Sequence, residues 1–93
     1  LQITRSGDIW LTLEDAKHTH FSIWQLHKEQ WHKRLEVPIY VNGLYDPLQL
    51  MGIALGAKDT PYISRRLPNQ ISKMQLYRWQ EGQWSAVGEV FGE

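Results

Sequence analysis

The chain has 93 residues, ten basic and ten acidic side chains, and no cysteine. Such a length gives one domain, 1–93, with a modest core, and the missing thiols exclude a disulfide staple and a thiolate metal site. Neutral overall charge argues against a dedicated nucleic-acid binder, and no apolar run is long enough to span a membrane.

The first element is expected to be a hairpin. Ile9, Leu11 and Leu13 alternate with Trp10 and Thr12, and Ser6-Gly7-Asp8 supplies a turn. A two-residue loop places Ile3 across from Trp10. A three-residue loop aligns Leu1 and Ile3 with Leu13 and Leu11, and this apolar match is the preferred register. The chain begins at Leu1 rather than methionine, so a trimmed N-terminus is expected. The absence of cysteine fits a cytoplasmic location.

Ser22-Ile23-Trp24-Gln25 then fits a capping box, with Phe21 and Leu26 placed as a hydrophobic staple. A helix is expected over 23–35, with Ile23, Trp24, His27, Trp31 and Leu35 on one broad face. A strand from Thr19 to Leu26 is the competing reading, because Thr, Phe, Ile and Trp favour extended backbone. Val37 to Val41 reads as a strand and Asn42-Gly43 as a turn. Asp46, Pro47 and Gln49 repeat the helix-start grammar, so a second helix is expected over 47–55, ended by Gly56. That helix is apolar on nearly every side, which suits a buried filler or a homodimer surface. Thr60-Pro61 is expected to cap a short helical turn through Leu67. The three hexapeptides 21–26, 45–50 and 71–76 share a pattern, read here as common capping chemistry rather than an internal repeat.

Leu76 to Val87 is open to two readings. As a hairpin turning on Glu81-Gly82, it pairs Trp79 with Trp84 and puts Tyr77 and Ala86 on the same face. Glu81 would then need a positive φ, which a type I turn with Gly82 in a bulge avoids. As a helix, Ser72 to Glu81 follows Tyr62–Leu67 and a turn over 68–71. In that form the Leu76-Tyr77-Arg78-Trp79 run before Gly82 resembles the short excisionase or MerR-type winged helices. The resemblance covers the last third of the chain and implies DNA reading through Arg65, Arg66, Lys73, Arg78 and Tyr77. The sequence departs from that pattern in a long, proline-bearing turn and in an acidic wing, where DNA contact needs positive charge. The hairpin is preferred.

The fold class expected is therefore α+β, with N- and C-terminal antiparallel hairpins packed on helices 23–35 and 47–55. The expected function is a non-catalytic binding module acting on a protein partner, with self-association as a homodimer. Its contact residues are Tyr77, Trp79 and Trp84 on one sheet face, with Arg65 and Arg66 on an adjoining loop. The alternative is the nucleic-acid regulator. A small metal-free nuclease-like enzyme built on His20 or His27 with Arg65, Arg66 and Tyr77 comes third, since no nucleophile elbow or phosphate loop is present. His18, His20, His27 and His32 do not form a metal set by spacing, and no cofactor is expected.

Overall fold

The computed structural model describes residues 1–41, 43–45, 50–67 and 70–92. It is almost entirely antiparallel β, and this corrects the α+β expectation: neither the helix at 23–35 nor one over 50–55 forms. The remainder of the second expected helix, 47–49, lies outside the described residues. A single 3-10 turn, Ala57–Asp59, is the one helical feature among the described residues. No helix is long and apolar enough to cross a membrane among them.

The chain divides into two compact units, Leu1–Pro47 and Leu48–Glu93. In the first, β1 (Gln2–Ile3), β2 (Ile9–Glu14), β3 (His20–His27) and β4 (Gln30–Pro38) form a sheet in the order β1-β2-β3-β4. A two-stranded ribbon, β5 (Tyr40–Val41) with β6 (Leu44–Tyr45), follows. In the second unit, β7 (Leu50–Leu55), β8 (Pro61–Leu67), β9 (Gln70–Gln80) and β10 (Gln83–Gly92) repeat the same meander. The helical turn expected after Thr60-Pro61 is therefore strand β8. With residues 50–55 in a strand, the apolar helix expected to form a homodimer surface is lost.

The reason the first helix fails is visible at its middle. Lys28 and Glu29 both take positive φ, 51° and 65°, and make a two-residue primed turn that joins β3 to β4. The Ser22–Gln25 pair that reads as a helix cap lies inside β3 instead. Ser22 donates weakly to the Leu13 carbonyl at 3.5 Å and accepts from Trp24 Nε1 at 2.9 Å. The first hairpin keeps Ile3 opposite Ile9 and Gln2 opposite Trp10, so neither expected register is realised. Thr4 explains the wider loop: its carbonyl accepts from Gly7, its amide donates to Asp8 O, and its hydroxyl accepts from the Asp8 amide.

Registers assign the faces of each sheet, because directly paired residues project to the same side. In the first sheet Trp10, Ile23, Gln25 and Val37 share one face and all are buried. In the second, Ile63 and Gln75 share the corresponding buried face. Both glutamines sit on the third strand, and each bonds to a bulge on the fourth. Gln25 accepts from Arg34 Nε at 2.9 Å, beside the register shift that leaves Arg34 as the extra residue of β4. Gln75 Nε2 donates to the carbonyls of Leu76, Val87 and Gly88 at 3.1, 3.2 and 3.4 Å, where β10 shifts register after Val87. A buried amide that finds partners stabilises the bulge; one left unpaired would oppose burial.

Candidate functional site: an apolar sheet face

The face of the first sheet opposite Gln25 is apolar and open. Ile9, Leu11 and Leu13 project from β2, Trp24 and Leu26 from β3, and Trp31 from β4, in cross-strand rows such as Leu11–Trp24–Lys33 and Ile9–Leu26–Trp31. Leu11, Leu13, Trp24 and Trp31 line a cavity of about 300 Å³. Leu13 is 51% exposed and Trp31 48%.

The indole of Trp24 is held in place at both its polar and its aromatic parts. Its N–H donates to Ser22 Oγ at 2.9 Å, and the Lys33 ammonium lies 5.4 Å from its ring centroid. Lys33 in turn donates to Glu36 at 2.7 Å. That hydrogen bond and the lysine charge hold the Glu36 carboxyl below its ordinary value. The charges at the rim thus neutralise one another, and the centre offers rings and methyl groups. An apolar centre with a paired lysine–glutamate rim has the chemistry of a hydrophobic contact surface.

The residues expected to form the site are arranged differently. Trp79 stands directly opposite Trp84, with ring centroids 5.2 Å apart in an edge-to-face arrangement of 65°. Tyr77 pairs with Ala86 on the same face, and all three aromatic residues are half-buried. Glu81 accepts the positive φ, 53°, with Gly82 at 79°, so the turn is the tight two-residue form rather than a bulge. Arg65 and Arg66 are not on a loop: both lie in β8, Arg65 paired with Gln75 and Arg66 with Met74, and therefore project to opposite faces. Lys73 follows Arg65, and Arg78 follows Arg66, by strand alternation and pairing. The phosphate strip that a DNA reader requires is split between two sides of the sheet, and the recognition helix from Ser72 is strand β9.

Three of the four histidines, His18, His20 and His27, lie against acidic side chains. Asp8 accepts from Gln25 Nε2 at 2.8 Å and lies 2.9 Å from His27 Nδ1, which donates to it. His18 lies 3.1 Å from Glu14 and His20 3.7 Å from Asp15. No group of three or more His, Asp or Glu side chains is placed to hold a metal among the described residues. Of the enzyme set, His20 and His27 belong to the first unit, and Arg65, Arg66 and Tyr77 to the second.

Sequence reasoning missed Leu11, Leu13, Trp24 and Trp31 as a group. The signal was present in the alternation of Ile9, Leu11 and Leu13 and in the strand reading of Thr19–Leu26, which places Trp24 on the same side as Leu11. Comparison with known proteins finds no matching family model, no matching curated protein and no matching solved structure.

Proposed function

We propose that this chain is a non-catalytic protein-binding module whose contact surface is the apolar face of the first sheet. The observation that carries the reading is the open cavity between Leu11, Leu13, Trp24 and Trp31, flanked by the mutually neutralised Lys33 and Glu36. Exposed, contiguous apolar surface on a folded sheet is costly in water and marks an interaction site. Rigid aromatic side chains give much contact area at little conformational cost, which suits Trp24 and Trp31 as anchors. A cytoplasmic location belongs to this reading and is supported by the cysteine-free sequence.

The test is selection of apolar-aromatic peptides from a displayed library on the wild-type protein, with counter-selection on Leu13→Lys. Amide chemical-shift mapping then locates the bound peptide. Perturbation centred on Leu11, Leu13, Trp24 and Trp31 is expected. Failure to select any peptide, or perturbation centred on Tyr77, Trp79 and Trp84, would refute the assignment of the face.

A further inference from the structure

Each sheet carries a buried glutamine on its third strand, Gln25 on β3 and Gln75 on β9, and the neighbours of the two can be compared position by position. In the first sheet Gln25 joins two opposite charges. Its Nε2 donates to Asp8 Oδ2 at 2.8 Å, and its Oε1 accepts from Arg34 Nε at 2.9 Å. Asp8 also accepts from His27 Nδ1 at 2.9 Å. Every member of the chain Arg34–Gln25–Asp8–His27 thus has a partner, and its arginine is balanced by a carboxylate one amide away.

The second sheet has a glutamine and an arginine at this place, but no acid. Arg65 on β8 is directly opposite Gln75, where Trp10 is opposite Gln25 in the first sheet. By the same count along the strands, the places of Asp8 and His27 are taken by Ile63 and Tyr77. Lys73, on the same face as Gln75, is turned toward β10 and donates to the Gly92 carbonyl at 3.2 Å. Arg65 Nε is buried without a hydrogen-bond partner, and none of the ion pairs among the described residues involves Arg65. Arg66 Nε is unpartnered too, but Arg66 projects to the other face and is engaged by other groups. Arginine, unlike lysine or histidine, does not relieve burial by losing its proton. A buried N–H without an acceptor is costly, so this position is short of an acceptor.

The surroundings define its chemistry. Ile63 is 2% exposed and Gln75 7%, so the neighbourhood of Arg65 is largely dry. One guanidinium there neutralises one negative charge, and a dianion would leave a second charge uncompensated. The flat Nε–Nη edge of arginine matches the two oxygens of a carboxylate. We propose that Arg65 anchors a monocarboxylate-binding site on the second sheet, in which the ligand supplies the acid that Asp8 supplies in the first. Arg65 as a whole is half-buried, so the carboxylate meets the exposed part of the residue, and the side chain turns to offer Nε–H and an Nη–H together. The site is separate from the apolar face of the first sheet and does not depend on that face being a binding surface. The carboxylate belongs to a free organic acid or to an acidic peptide residue, with the same chemistry at Arg65.

Titration of the isotope-labelled full chain, followed by nuclear magnetic resonance at the arginine Nε–H and glutamine amide signals, tests this. Sodium acetate stands for the free acid and a short acetylated, amidated peptide with a single glutamate for the peptide, with sodium chloride at equal ionic strength as control. The Arg65 Nε–H proton is expected to move downfield and saturate, with half-saturation on the order of 10 mM acetate. Half-saturation at a lower concentration of the peptide assigns the site to an acidic peptide; otherwise it belongs to a free acid. Arg65→Lys keeps the charge and loses the fork, and should raise half-saturation about fivefold or more, read at the Gln75 amide. Arg78→Lys, on the opposite face, should leave it unchanged. Circular dichroism confirms that each variant is folded. An Arg65 signal that moves no further with acetate or the peptide than with chloride overturns the proposal. So does binding indifferent to Arg65→Lys, or inorganic phosphate that binds more tightly than acetate.

Discussion

Replacing Gln75 with leucine removes a side chain that donates into the β10 bulge. Its amide reaches the carbonyls of Leu76, Val87 and Gly88, and the residue is 7% exposed. Gly88 is exposed, so water can take over its carbonyl; Leu76 and Val87 are half-buried and less easily rehydrated. A buried acceptor left unpaired costs about 1–3 kcal/mol, and the leucine returns part of this through apolar contact. The net loss expected is about 1–2 kcal/mol. Urea unfolding with an unchanged m-value measures it. A leucine variant as stable as the parent would refute the clamp.

A double-mutant cycle on Trp79→Ala and Trp84→Ala should give a coupling of about 0.5–1.5 kcal/mol for the edge-to-face pair; additivity within about 0.3 kcal/mol would contradict direct contact. The Asp15 carboxylate accepts from the Thr19 hydroxyl and amide, each at 2.6 Å, and from the His20 amide at 3.1 Å, which lowers its pKa to about 2, the Thr19 hydroxyl contributing most. A depressed acid contributes stability that is complete above its unfolded value of 3.8 and is lost as pH falls toward 2, so Asp15→Asn should flatten this part of the acid-unfolding curve. An unchanged curve would mean that Asp15 does not tie the β2–β3 connection.

What the sequence made legible was local pairing, and what it concealed was turn position. The Trp79–Trp84 ribbon is readable because Gly82 marks its turn and aromatic residues flank it. The β3–β4 hairpin has no such mark: Lys28 and Glu29 adopt positive φ without glycine or asparagine, and the apolar spacing of Ile23, Trp24, His27 and Trp31 imitates a helix. Ser22 and Gln25 imitate a cap because polar residues near a strand centre look alike on paper whether they serve amides of a first turn or, as here, Gln25 meets Asp8 and Arg34 while Ser22 meets Trp24. Leu50 to Leu55 is a short apolar run, and such runs do not distinguish a buried helix from a strand. The open face needed all three strands in register before Leu11, Leu13, Trp24 and Trp31 came together, so one wrong helix hid it.

The stability of Leu13→Lys, measured by urea unfolding at about 1 µM protein where self-association is negligible, tests the central claim most directly. If the face is a binding surface, a lysine there replaces exposed apolar area, and stability should stay within about 0.5 kcal/mol of wild type while peptide binding at the face is lost. A loss of several kcal/mol would place Leu13 in the folding core and contradict the account.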